Sequence, residues 1–432
     1  MLTKAYQGFI VPLVVLFILS MALPARRNSV STASGINRVD TQPLRTASGG
    51  DMVVSKLRPS RQETQKAQKT AADTPAQACF AAEARALAER TAKVWQEPDL
   101  DYDPVLGYSS GKGGPRAGDP PVDASGLAQP IKCVANKDET KGSGTTPKFH
   151  CSVPGVVADN GDLVRYKVKP HFKGQSREKR NGEIYGEFLS SRFSKALGFF
   201  ADDEWVADVT CPDCEKSLTS GFQGAPFTPS QPAAGIERSL GTGIDVKCNK
   251  KDTAALAETL RKLEQGGPSP STRAEIDAFK LWLAFIDHGD TKADNQKFAC
   301  LDLQKNPDGS RTCKPGQAVY YIADMGSTFG YSSASENKAR LKEWKERKDP
   351  IIVSRGRCAT TAKGVGATKI SEAGRQLLAN GLQRLLDRQK NDRLITRVFR
   401  ASRNHERDES PEAWSAEFQR KARTIIDARC GN

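Results

Sequence analysis

His288, Asp290, Lys292 and Asn295 fall in the pattern H-x-D-x-K-x-x-N. Each residue type suits one part of phosphoryl transfer. The aspartate can accept the proton of an attacking hydroxyl, the lysine can reach the transferring phosphate, and the asparagine can turn back to hold a hard cation through its side-chain oxygen. Asp290 is therefore the candidate base or hydroxyl-orienting group, Lys292 the group that balances phosphoryl charge, and Asn295 a metal ligand. Further on, Tyr320-Tyr321-Ile322-Ala323-Asp324-Met325-Gly326 reads as a strand running into an Asp-x-Gly turn. Asp324 there is the candidate second metal ligand, although an aspartate also begins many ordinary hairpin turns. A nucleotide would also need a strand lysine paired with a helix glutamate. Lys167 and Lys169 are two apart and share one side of a strand. Glu183 and Glu187 are four apart and share one face of a helix. Lys169 with Glu187 is the preferred pair, with Lys167 and Glu183 as the alternatives.

The elements that must carry these residues are legible as patterns. Leu163-Val164-Arg165-Tyr166-Lys167-Val168-Lys169 alternates as a strand does. From 181 to 200, Ile184, Phe188, Leu189, Phe193, Ala196 and Leu197 make one helical face. Strands are expected at 205–210 and 243–248. Thr272-Arg273-Ala274-Glu275 is a capping box, and the helix after it presents Ile276, Phe279, Leu283 and Ile286 before ending at the His288 loop. Leu377, Leu378, Leu382, Leu385 and Leu386 form a stripe in a later helix.

Composition sets the surroundings. Hydrophobic residues make up 38% of 432 residues, low for a chain that is globular throughout. Residues 9–23 are apolar and follow Lys4, the pattern of a signal peptide or, with Arg26-Arg27 directly after, an uncleaved signal anchor. Residues 26–146 read as a flexible stalk with one short helix at about 76–96. The ten cysteines all follow the apolar segment, and their even number favours disulfides in an exported chain. Cys211-Pro212-Asp213-Cys214 could be half a zinc site, but the second C-x-x-C is missing. Cys300 and Cys313 could close a hairpin between Asn295 and Asp324. The net charge of +14 suits phosphates, anionic surfaces or simple solubility. No arginine-rich tract with interleaved aromatics points to a specific nucleic-acid partner. H-E-x-x-H, G-x-S-x-G and G-x-x-x-x-G-K-[ST] are all missing, which argues against the corresponding metalloprotease, serine hydrolase and P-loop chemistries.

Taken in order, these residues resemble the protein-kinase-like superfamily, and its atypical branches more than the typical one. Lys169-Pro170 is similar to the strand lysine and proline of secretory-pathway casein kinases and type II phosphatidylinositol 4-kinases, and HipA-type kinases are similar in outline. The resemblance covers roughly residues 150–400. It implies an α+β, two-lobed fold, with a small β-rich lobe at 147–265 carrying one key helix and a larger, mostly helical lobe at 266–432. It also implies ATP and Mg²⁺ or Mn²⁺ as cofactors, and transfer of the γ-phosphate to a hydroxyl acceptor, a protein Ser/Thr first and a lipid or small molecule second. Departures are plain: no G-x-G-x-x-G precedes Lys169, Met325 stands where D-F-G has Phe, Gly289 stands where H-R-D has Arg, and no A-P-E follows. The rival readings are an exported pseudokinase and a disulfide-stabilised binding module. A membrane is expected as a partner only through an uncleaved N-terminal segment.

Overall fold

The computed structural model describes residues 88, 90–112, 114–136, 146–157, 163–171, 181–217, 229–244, 256–265, 271–305, 311–330 and 339–431. The apolar leader, Cys79, Cys248 and residues 158–162 lie outside them. Helices and sheets are mixed, so the class is α+β, and the described residues fall in one compact unit, Gln65–Asn432.

A six-stranded sheet occupies the first half. Its strands are β3 (Ile131–Lys132), β4 (Val134–Ala135), β5 (Phe149–Val157), β6 (Leu163–Lys169), β7 (Asp203–Thr210) and β8 (Ser230–Arg238), in the order β3-β7-β8-β6-β5-β4. A short pair, β1 (Tyr102–Asp103) and β2 (Tyr108–Ser109), precedes it. One face buries Phe149, Val168, Trp205 and Ile236 in a core of its own, where Cys133–Cys151 and Cys211–Cys214 are disulfide-bonded. With both sulfurs of Cys211 and Cys214 so used, the zinc alternative falls away. The other face carries a row of ionisable residues in register: Glu204 opposite Glu237, Glu237 opposite Lys167, and Lys167 opposite His150.

Helix α1 (Gly182–Ala196) covers that second face. Its start is locally specified. Pro170 has no N–H to continue the ladder, so β6 stops at Lys169. Asn181 then caps the helix by accepting from the Glu183 N–H. Close approach of helix and sheet needs Gly235, since a Cβ there would lie 2.9 Å from Ile184.

Helices dominate after α2 (Leu256–Gln265). They are α3 (Arg273–Phe285), α4 (Leu341–Glu346), α5 (Glu372–Asp392), α6 (Leu394–Ala401) and α7 (Pro411–Asp427), with α3 packed on α5 and α5 on α7. The capping box at Thr272 and Glu275 is formed, and Ile276, Phe279, Leu283 and Ile286 are buried. Leu378, Leu382, Leu385 and Leu386 are buried, and Leu377 is half-buried. Phe193 of α1 touches Phe399 of α6 and Phe418 of α7, while Trp344 of α4 touches Phe285, Phe329 and Trp414. This aromatic core ties α1 to the later helices.

A second sheet runs β13 (Ala318–Ile322), β10 (Gln296–Cys300), β9 (Thr242–Ile244), with the hairpin β11 (Leu303–Lys305) and β12 (Arg311–Cys313) closed by Cys300–Cys313. Of the strand expected at 243–248, the described part, within β9 (Thr242–Ile244), pairs with β10 and not with the large sheet. Strands β14 (Ile352–Ser354), β15 (Arg357–Thr360) and β16 (Thr368–Ile370) form a third sheet, held to the C-terminus by Cys358–Cys430.

Two expectations need correction. Residues 90–136 are not stalk: Ala92, Val94 and Val105 are fully buried, Lys93 bridges Val319, and the Trp95 indole donates to the Leu197 carbonyl. Gly, Pro and Asp there signal irregular backbone, and irregular backbone can still pack. The helix expected at about 76–96 ends by Thr91 among the described residues, and Val94 and Trp95 lie on extended chain.

Candidate functional site

Lys169, at the last position of β6, is 3% exposed and points at α1. Its Nζ contacts Glu187 Oε1, with Glu183 Oε2 at 3.5 Å and Asp324 Oδ1 at 3.8 Å. Both α1 glutamates therefore meet the same lysine, because one helical turn separates them on the face that covers it. Glu183 is fixed from a second side, accepting 2.7 Å from the Thr146 hydroxyl. Lys167 takes another partner: its ammonium pairs with Glu237 of β8. The two lysines keep the shared strand face and differ in partner, Glu187 for Lys169 and Glu237 for Lys167.

The electrostatics follow from carboxylates outnumbering ammoniums. Burial alone would lower the Lys169 pKa, but Asp324, Glu187 and Glu183 together raise it well above the ordinary value. Burial pushes Glu187 up, with Asp324 adding to the push and Lys169 opposing it. Glu204 is raised well above the carboxylate range, first by burial and then by Glu187 and Glu237. Glu237 stays low: burial would raise it, and Lys167 and then Lys169 outweigh that. Glu187, Glu204 and Glu237 have oxygens within 4.8 Å of one another, a crowded acidic row.

Asp324 follows β13 and accepts from the Gly326 N–H at 3.3 Å, which closes the Asp-x-Gly turn. This turn packs tightly on α1. A Cβ on Gly326 would lie 2.8 Å from the Glu183 Cβ, and one on Gly186 would lie 2.7 Å from the Gly326 carbonyl. Thr328 seals the contact, donating to the carbonyls of Met325 and Gly186. Met325 is buried, with Ser194 Oγ 4.0 Å from its sulfur. In the sequence Gly326 is visible only as the last letter of the Asp-x-Gly turn, and Gly186 carries no signal of its own. Their role as contact points became visible once α1 and the turn were side by side.

The His288 loop lies against the same turn. Gly289 N donates to Ser327 O at 2.7 Å, Phe329 N to Ile286 O at 2.6 Å, and Ala323 N to Asn295 O at 2.7 Å. Within the loop, Lys292 Nζ is 3.0 Å from Asp290 Oδ2, and that hydrogen bond raises the lysine pKa. Asn295 Nδ2 donates to the Asp290 carbonyl at 3.0 Å, leaving Oδ1 as the atom for a cation. Asp287 sits at φ 51°, with its carboxylate 3.0 Å from Arg347 Nε. His288 is 2% exposed, and burial lowers its pKa to about 4 against the pull of Asp324 and Asp290.

Lys169, Glu183, Glu187 and Asp324 thus form one cluster, and Asp290, Lys292 and Asn295 belong to a loop hydrogen-bonded to the segment that carries Asp324. A separate cavity of about 280 Å³, lined by Lys195, Arg116, Asp119 and Asp203 among others, lies behind the C-terminal end of α1 and contains none of these residues.

No protein-family model matches the chain, and no curated protein matches it. Among solved structures it is similar to a Helicobacter pylori proinflammatory kinase, CtkA, with a TM-score of 0.34 and 11% identity over 69% of this chain and 95% of that one. Four disulfides among the described residues are compatible with an oxidising, exported setting. No helix of the described residues is long and apolar enough to cross a membrane.

Proposed function

We propose that this chain is an atypical, exported kinase-like phosphotransferase that moves the γ-phosphate of ATP to a hydroxyl, with a protein Ser/Thr acceptor favoured over a lipid or small molecule. In this reading the six-stranded sheet with α1 is the small lobe and the helices from α3 onward are the large one. The observation that carries it is the meeting of Lys169 with Glu187, Glu183 and Asp324 within 3.8 Å, beside a loop that presents Asp290 and Asn295. A lysine–glutamate pair next to an Asp-x-Gly carboxylate is the arrangement that positions nucleotide phosphates in kinases.

Lys169, oriented by Glu187, holds the α- and β-phosphates. Asp290 orients the acceptor hydroxyl and takes its proton, and Lys292 offsets charge on the transferred group. The donors left by Asn295 Oδ1 and Asp324 are hard oxygens, which fit Mg²⁺ or Mn²⁺. Bound there, such a cation would supply charge neutralisation at the phosphates. The hydroxyl-bearing acceptor and the nucleotide are the partners this chemistry requires.

The missing glycine-rich pattern favours a second reading, a nucleotide-binding domain without turnover. Thermal shift with ATP and Mg²⁺, together with labelled-phosphate transfer by wild type and Asp290→Asn, tests both. The kinase reading expects stabilisation by nucleotide in both proteins and transfer in wild type alone. Stabilisation with no transfer selects the second reading, and no stabilisation removes both.

A further inference from the structure

We propose that Lys148 is a phosphate-binding residue of this site, answering the nucleotide's phosphates from the sheet side; the proposal rests on the kinase-like reading above. Three observations carry it. First, the register of β5 on β6 pairs Phe149 with Val168 and His150 with Lys167. Continued by one residue, it sets Lys148 opposite Lys169, and directly opposed residues share a face. Second, the flanking residues fix which face that is. Thr146 hydrogen-bonds Glu183 of α1, while Phe149 is buried in the core on the far side of the sheet. Lys148 alternates with Phe149 and therefore shares the side of Thr146 and Lys169.

Third, the local charge balance calls for another cation. Three carboxylates already surround the Lys169 ammonium. A polyphosphate approaching that face meets an acidic cluster unless a further positive group answers it. Lys148 is half-buried there, and its pKa is lowered by burial and then by Lys169 and Lys167, as expected of an ammonium crowded toward other ammoniums. In ordinary kinases the main-chain N–H groups of a glycine-rich loop cover the phosphates. The sequence lacks that pattern before Lys169, and a lysine at the mouth of β5 would supply the missing attraction as a point charge.

The test is calorimetric binding of Mg·ATP and of adenosine to the full chain, for wild type, Lys148→Met and Lys148→Arg. Loss of one charged hydrogen bond predicts that Lys148→Met weakens ATP on the order of 10-fold or more. Adenosine binding should be unchanged, and Lys148→Arg should stay close to wild type. Should Lys148→Met fail to fold, Lys148→Gln makes the same comparison. Equal ATP affinity in wild type and the neutral variant overturns the proposal, as does equal loss of adenosine, which marks a structural role. A wild type that binds adenosine and ATP not at all overturns the kinase-like reading itself, a result distinct from either.

Discussion

His288 offers the sharpest test of how the loop is built. Its ring is 2% exposed and lies against the main chain of Asp290. Burial holds its pKa at about 4, against 6.5 for an exposed histidine. Between those values the unfolded chain binds a proton and the folded chain does not, so stability is lost as pH falls from 6.5 through 4. Full titration of the difference is worth about 3 kcal/mol at 1.36 kcal/mol per unit; from pH 7 to pH 4.5 the loss should be about 2 kcal/mol. Other groups titrate in the same window, so the informative quantity is a comparison. Urea unfolding of wild type and His288→Leu at pH 7, 5.5 and 4.5 gives two curves, and the wild type should fall more steeply by about that amount. Packing changes made by leucine shift its curve by a constant and leave the slope difference intact. Parallel curves would show that the imidazole is reached by water, or finds a proton-sharing partner, and the picture of a dry, neutral ring beneath the Asp290 loop would be wrong.

Removing the Lys169 charge with Lys169→Met should cost about 3–5 kcal/mol in chemical denaturation, because buried carboxylates are left unanswered. Adding Glu187→Gln should recover part of that loss, and strict additivity of the two changes would contradict the pairing. Gly326→Ala should destabilise by about 1–3 kcal/mol through overpacking against Glu183, seen as a lower unfolding midpoint, whereas an unchanged midpoint would mean that α1 moves away freely. Replacing Cys358 and Cys430 with serine opens a separation of 72 residues and should cost about 4 kcal/mol. Replacing Cys211 and Cys214, only 3 apart, should cost about half as much; the reverse order would count against the chain-entropy account.

Local patterns carried much of the fold into the sequence. Thr272 and Glu275 specify a helix start from adjacent residues, and the alternation of Leu163–Lys169 with Pro170 behind it specifies both a strand and its end. The candidate site was legible for the same reason, since Asp290, Lys292 and Asn295 lie within one short loop. Choosing between Lys167 and Lys169 was harder. Both face the same side, and the choice depends on Glu237, a residue on another strand that claims Lys167. Lys148 carries no signal in the sequence because its neighbourhood is set by β-register and by Thr146 touching Glu183, neither of which leaves a periodic trace. The segment at 90–136 misled for a complementary reason: composition reports the absence of helices and strands, whereas burial of Val94 and Val105 depends on surfaces contributed by residues far along the chain.

On the kinase-like reading, the departures from the usual kinase letters fall where the described residues are tied down by other contacts. Gly289, where an arginine would read a phosphorylated loop, instead spends its backbone N–H on Ser327, and Phe329 does the same to Ile286. Asp287 holds a left-handed backbone conformation at φ 51° with Arg347 against its carboxylate. Trp344 is fully buried, its indole donating to the Phe285 carbonyl at 3.0 Å. Cys358, a little beyond, is joined covalently to Cys430. Among the described residues, the loop, the turn and the chain from 339 onward are therefore held by main-chain hydrogen bonds, a buried tryptophan and a disulfide. On the kinase-like reading, the site is assembled by folding and not by modification. Protein treated with a phosphatase should then transfer phosphate at the same rate as untreated protein, and a loss of activity on dephosphorylation would show that a charge-reading switch exists after all.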